Sequence, residues 1–167
     1  MTACSTLDIE ALPPCDPRVM ALCRYWRSIR PVAGRLPGRQ HLDPLDLPRL
    51  LPWLWLIDVQ RAPLRFKFRL VGGRLADALG EDPTHRWIDE VDPEFQTGFG
   101  HAHFVAAVER HEIGFYRGPP SQALRKKYMV IEWLVLPLAA DGSSVDMLLG
   151  LTVLDPRPAA RAETIRE

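Results

Sequence analysis

The sequence predicts an α+β domain built on a five-stranded antiparallel sheet, and three observations lead there. Trp53 to Gln60 and Arg65 to Val71 are neighbouring apolar runs joined by the short turn Arg61-Ala62-Pro63-Leu64, which makes them a hairpin. Lys126 to Leu138 and Val145 to Leu154 are rich in β-branched, aromatic and leucine residues, and Asp141-Gly142 between them is a strong hairpin-turn signal. Between the two pairs lies a helical period from Pro93 to Arg110, followed by a short strand at Glu112 to Arg117. Two strands, a helical crossover and three further strands give a sheet with helices packed against it.

Met1 to Cys15 lacks pattern and ends in Pro13-Pro14, so it reads as a loose lead-in. Asp16-Pro17 is a helix start, because the carboxylate accepts from free amides and proline has no amide to leave unpaired. The helix runs to about Ile29, with Val19, Met20, Leu22, Cys23, Tyr25, Trp26 and Ile29 on one broad stripe and Arg18, Arg24, Arg27 and Arg30 on the remainder. Asp43-Pro44 repeats the start signal and predicts a short helix over Leu45 to Leu51, stopped by Pro52.

In the first strand of the hairpin, Trp53, Trp55, Ile57 and Val59 share one face, with Leu54 and Leu56 on the other, as in a central strand covered from both sides. In the second, Phe66, Phe68 and Leu70 alternate with Arg65, Lys67 and Arg69. Arg74 to Leu79 has room for one or two helical turns ended by Gly80. Glu81 to Val91 is irregular, with Trp87 and Ile88 tucked in. In the segment Pro93 to Arg110, Gly98 and Gly100 each weaken the helix by about 1 kcal/mol relative to alanine. After Pro156 the chain turns polar and reads as a flexible tail. The organisation is therefore a lead at 1–15, an N-terminal helical extension at 16–52, a core at 53–155 and a tail at 156–167.

A chain of 167 residues, 47% hydrophobic and 25% charged, is one globular domain with a sizeable core. Its 21 acidic and 21 basic residues leave no net field to gather nucleic acid or anionic lipid, so neither is an expected partner. Charge is uneven locally: Arg61 to Arg74 holds five basic residues and no acidic one, and Asp77 to Glu94 holds seven carboxylates against Arg86. These runs read as solvated faces before they read as a docking surface. The three cysteines, Cys4, Cys15 and Cys23, match neither a disulfide framework nor a zinc motif, and no apolar stretch is long enough to span a bilayer. A cytoplasmic location is expected.

The chain resembles the stand-alone PAS-like domains of bacteria, a group of unknown function common in alphaproteobacteria. The resemblance covers roughly Arg24 to Leu154. It rests on Trp26 among basic residues, Leu36-Pro37-x-Arg39, Leu42-Asp43-Pro44, and Leu50-Leu51-Pro52 running into Leu56-Ile57-Asp58-Val59. It continues in Phe68-Arg69-Leu70-x-Gly72 and Glu132-x-Leu134-x-Leu136-Pro137-Leu138. Gly72-Gly73 and Thr84-His85-Arg86 stand where the family tends to have Gly-Thr and Thr-Gly-Arg. The resemblance implies a PAS-like five-stranded sheet with helices cupped on one face, here with an added N-terminal helix, and a cup that often holds a ligand. It also implies haem or flavin as cofactors to weigh. His101, His103 and His111 are the available axial ligands for haem, yet they read as surface or core histidines. The cysteines precede the core, away from the helix that carries the reactive cysteine of flavin light sensors. No cofactor is expected.

No nucleophile elbow, P-loop, zinc-protease or dinucleotide motif is present, so no catalytic residue is expected. Glu132 stands out as a carboxylate in an apolar strand, where lack of a partner would cost several kcal/mol, about the price of a buried charge. Arg69 or a helix arginine is the expected partner, and the pair is either a structural ion pair or, with Phe66 and Phe68, part of a ligand pocket. Trp26, Trp53, Trp55 and Trp133 read as core, or as an association surface if the N-terminal helix leaves the outer sheet face open. The PAS resemblance implies pairing through that face and an N-terminal helix, so a homodimer is expected. The leading expectation is a non-catalytic sensory or adaptor domain that binds a small molecule or a separate signalling protein. The alternative is a small α+β enzyme or metabolite-binding protein with its site in the cup, which requires a buried acid-base pair.

Overall fold

The computed structural model describes residues 12–121, 124 and 130–155. The lead before residue 12, the tail after 155 and the first part of the strand expected from Lys126 lie outside the described residues. Helix α1 spans Pro17–Ser28, and its Asp16 cap accepts from the Arg18 amide at 2.9 Å. The expected helix over Leu45 to Leu51 is instead two 3-10 turns, Pro44–Asp46 and Leu51–Trp53. Pro48 explains the difference, since mid-helix it has no amide to donate and its ring meets the carbonyl four residues back.

Strands β1 (Leu54–Arg61) and β2 (Leu64–Val71) form the hairpin. Helix α2 is Gly73–Leu79, closed by Gly80 at φ 78°, and α3 is the single turn Ile88–Val91. The long helix is shorter than its period suggests: α4 is Phe99–Arg110, preceded by a 3-10 turn at Phe95–Thr97. Gly98 adopts an extended conformation between them (φ −85°, ψ 167°) and breaks the run. Strands β3 (Gly114–Gly118), β4 (Val130–Leu138) and β5 (Met147–Asp155) complete an antiparallel sheet of order β2-β1-β5-β4-β3. The β4–β5 turn is held by Asp141, whose carboxylate accepts from the amides of Ser143 and Ser144, with Gly142 at φ 83°.

The pleat puts neighbours on opposite faces, and Glu132 and Trp133 show which helices lie where. The Glu132 carboxylate accepts from the Asp16 amide at 2.7 Å, at the start of α1. The Trp133 ring meets His103 and Phe104 of α4 at centroid distances of 5.1 and 6.4 Å. Thus α1 covers the outer face, and α2, α3 and α4 shape the inner one. Val19, Leu22, Cys23 and Trp26 of α1 are fully buried over Leu134, Leu136, Leu149 and Leu151, and the Trp26 indole donates to the Pro137 carbonyl at 2.9 Å. Each fully buried leucine or valine there contributes about 1.5–3 kcal/mol. The helical extension and the sheet therefore share one core.

Two local departures follow from the register. Leu56 pairs with Leu70 and Ile57 with Phe68, so Arg69 is an extra residue in β2, a bulge. The alternation stops there: Phe66 and Phe68 face inward, whereas Leu70 sides with Leu56 on the outer face and is 44% exposed. His85, where the resembling family tends to have glycine, keeps a left-handed conformation (φ 69°). Its amide donates to the Phe68 carbonyl at 2.7 Å, which ties the loop to β2. Among the described residues no helix is long and apolar enough to cross a membrane.

Candidate functional site

The inner face of the sheet and its helices enclose a cavity of about 390 Å³. Its floor is Trp55 and Ile57 of β1, Phe68 of β2, Thr152 of β5, and Ile131 and Trp133 of β4. Leu75 and Leu79 of α2, Ile88 of α3, and Phe95 and Phe104 form the walls, and Pro119, Pro120 and Leu124 close the far side. Side chains of this kind surround an apolar ligand well, because filling the space removes apolar surface from water without stranding polar groups.

The aromatic groups are held in fixed orientations. Trp55 stacks on Phe104 with centroids 5.5 Å apart, and Tyr116 stacks on Trp133 at 5.4 Å. Trp55 also lies flat over Gly150, where a Cβ would overlap its ring. Its indole Nε1 donates to the Thr152 hydroxyl at 2.9 Å, a bond buried in the cup floor. Tyr116 donates to the Pro119 carbonyl at 2.9 Å, and burial pushes its phenol above the ordinary value. At the mouth stand Asp92, Glu94 and the 62% exposed ring of Phe99.

The wall made by α3 is clamped to β2. Arg65 donates from Nη2 to Asp89 at 2.9 Å and to Glu90 at 3.2 Å, while its guanidinium lies 4.3 Å from the Trp87 ring centroid. Hydrogen bonds from Arg65 hold the Asp89 carboxyl below its usual range. The basic and acidic runs of the sequence thus meet here, and Arg86 pairs with Glu81 in the same region at 2.6 Å.

A family model described as PAS domain matches residues 16–153. The chain belongs to the PAS domain family. The matched span includes α1 and the sheet up to residue 153 of β5, so in this PAS domain the helical extension lies within the family's own unit. A solved structure described as an RNA-binding light-oxygen-voltage receptor aligns with 74% of this chain and 35% of its own, at 16% identity and a TM-score of 0.46. No curated protein matches the chain.

The PAS cup contains some of the expected site residues and not others. Phe68 lines it. Phe66 shares its face but packs behind the cavity against Phe95, His101 and Phe104, with centroids 6.0, 6.1 and 5.2 Å away. The expected Arg69–Glu132 pair does not form. Arg69 sits in the bulge of an edge strand and reaches Asp58 at 3.9 Å, whereas Glu132 lies three strands away on the outer face. Glu132 is 8% exposed and is satisfied by the Asp16 amide and by Arg117 of β3, 3.4 Å away. It is a fastener for α1, not a group that orients a ligand in the cup.

The four tryptophans do not form one association surface. Trp26 is 0% exposed beneath α1. Trp53 has the Arg18 and Arg74 guanidinium groups at 4.2 and 5.3 Å from its ring centroid. Trp55 and Trp133 face the cup. Since α1 covers the outer face, the condition for a tryptophan-lined dimer contact is not met.

The histidines of α4 likewise point elsewhere. His101 packs edge-on to Phe66 and Phe95, and His103 lies over Trp133, where burial holds its imidazole below the ordinary value. His111 caps the helix in a left-handed conformation (φ 58°). None of the three is among the described residues that line the cavity, and neither is Cys15 or Cys23. Cys15 lies on the outer face, where burial and then the Glu132 charge raise its thiol. Among the described residues no group of three or more histidine, cysteine or carboxylate side chains is placed to hold a metal. Sequence reasoning missed Thr152 and Tyr116. Thr152 carried a signal, a lone hydroxyl inside the apolar run Met147 to Leu154.

Proposed function

We propose that this PAS domain is a non-catalytic sensory module whose inner cup binds a small, predominantly apolar molecule and that occupancy is passed to a separate signalling protein. The observation that carries the reading is the cavity of about 390 Å³ floored by Trp55, Phe68, Ile131 and Trp133, a volume within the usual range for small-molecule sites. The polar groups of the cup favour binding over catalysis. Thr152 accepts from an indole, Tyr116 donates to a backbone carbonyl, and Asp92 and Glu94 stand at the mouth, so no acid-base pair faces the floor among the described residues. The module is cytoplasmic in this reading, and any homodimer forms through contacts other than the four tryptophans.

The test is native mass spectrometry of the purified protein, followed by denaturing extraction and an absorption spectrum. The expected result is a mass surplus that disappears on denaturation, with an apolar compound in the extract and no haem or flavin band. A protein that carries no surplus mass, and whose cup signals in an NMR spectrum ignore every apolar probe offered, would refute the ligand-binding reading. A haem or flavin spectrum would replace the proposed ligand class.

A further inference from the structure

Among the described residues the cup contains one polar side chain that is more than nine-tenths buried, Thr152 at 6% exposure, and its hydroxyl proton is not engaged by any of them. A hydroxyl has one proton to give and two lone pairs to receive with. The Trp55 indole N–H, which can only donate, occupies a lone pair at 2.9 Å. The hydroxyl proton must therefore point away from Trp55, and it donates to no described residue. Thr152 lines the cavity, so that proton is within reach of a group placed on the cup floor. Buried polar atoms have at least one partner almost without exception, and the Thr152 oxygen has its own in Trp55, which leaves the hydroxyl proton as the group a ligand can use. Trp55 is itself held by its stack on Phe104 and by its seat on Gly150, so its N–H stays on the Thr152 oxygen before any ligand arrives.

The surroundings limit what the acceptor belongs to. Around Thr152 the floor is Trp55, Ile131 and Trp133, which offers nothing to solvate a charge. The described charges nearest the entrance are carboxylates, Asp92 and Glu94, which repel an anion. We propose that the ligand is an uncharged, largely apolar molecule with one hydrogen-bond acceptor, such as a ketone or ester oxygen, which the Thr152 hydroxyl engages on the cup floor. This rests on the ligand-binding reading of the cup. Trp55 is a positioning residue in it, since it acts through Thr152.

Three probes of nearly equal shape separate the chemistry: 2-acetylnaphthalene, its hydrocarbon isostere 2-isopropenylnaphthalene, and the anion 2-naphthoate. Affinities are read from proton–nitrogen NMR titrations, which also report the Trp55 indole signal directly. In the wild type the expected result is that the ketone and hydrocarbon shift the cup signals and naphthoate binds least. Thr152→Val weakens the ketone by about three- to ten-fold, the worth of one neutral hydrogen bond, and leaves the hydrocarbon unchanged. Thr152→Ser retains ketone binding. Because Thr152→Val strands the Trp55 indole, the double variant Trp55→Phe/Thr152→Val removes both partners, and it shows the same selective loss of the ketone. If the ketone and hydrocarbon respond alike to Thr152→Val, or if naphthoate binds as tightly as the ketone, the acceptor proposal fails and the ligand-binding cup stands. If no probe moves the cup signals, both fail together.

Discussion

Trp26→Ala lowers stability by about 3–5 kcal/mol, the usual range for removing a buried tryptophan. The indole is fully buried between α1 and the sheet, and its N–H is the donor to the Pro137 carbonyl. Alanine leaves a void under the helix and an unpaired acceptor at the end of β4. In a domain of this size the melting temperature should fall by about 6–20 °C, at roughly 2–4 °C per kcal/mol. Trp26→Phe keeps most of the apolar area and loses the hydrogen bond, so its deficit is about 1–3 kcal/mol. Arg27→Ala on the solvent side of the same helix changes stability by less than about 0.5 kcal/mol. Thermal and urea unfolding of the three variants check the order. Equal, small effects would mean that α1 is not part of the folding unit. A loosened α1 also exposes Leu134, Leu136, Leu149 and Leu151, so the alanine variant should associate on warming.

Gly150→Ala is the second large effect, and it acts on the cup. A Cβ at position 150 would overlap Cζ2, Cη2 and Cε2 of Trp55, and a rigid ring has no flexible end to yield. Trp55 must swing out of its stack on Phe104 and give up its bond to Thr152. Overpacking and a stranded indole together cost at least about 3 kcal/mol. The displaced ring has the cavity to move into, so the variant should also lose probe binding. Combining Gly150→Ala with Trp55→Leu relieves the overlap, and the double variant should be more stable than the sum of the two single losses. Strict additivity in denaturant unfolding would contradict the close approach.

Much of this fold was legible because local rules and tertiary packing agree. Asp16-Pro17 starts α1, Gly80 and Asp141-Gly142 turn the chain, and the opposed faces of Trp55 and Leu56 both find cover. The failures have local causes. Pro48 divides the segment after Asp43 into 3-10 turns, and Gly98 takes an extended conformation where the apolar period runs on unbroken. The bulge at Arg69 turns Leu70 to the other face, which no alternation in a single strand can announce, because it depends on pairing with β1.

The site was legible in kind more than in membership. Phe68 belongs to the cup by strand parity alone, and Trp55 and Trp133 reach it by the same rule. Glu132 was conspicuous for the right reason, a carboxylate in an apolar strand, and its need for partners is met by the Asp16 amide and Arg117. Its parity relative to Trp133 sends it outward, so the same pleat that reveals the cup excludes it. Thr152 is less conspicuous because threonine is common in strands. Its importance comes from a bond to a residue 97 positions away.

The central claim is that ligands occupy the space between α2, α4 and the inner sheet face, and filling that space from its mouth tests it most directly. Leu79 is half-buried on α2 and lines the cavity, so Leu79→Trp places an indole in the opening without adding bulk to the buried core. The measurement is a proton–nitrogen NMR titration with 2-acetylnaphthalene on the wild type and on this variant. Shifts are expected at Trp55, Ile57, Phe68 and Trp133 in the wild type, with unmoved signals at Trp26 and Glu132, and an affinity weakened at least about ten-fold in a variant that still folds. Undiminished binding by Leu79→Trp, or shifts centred on the outer face around Glu132, would contradict that claim.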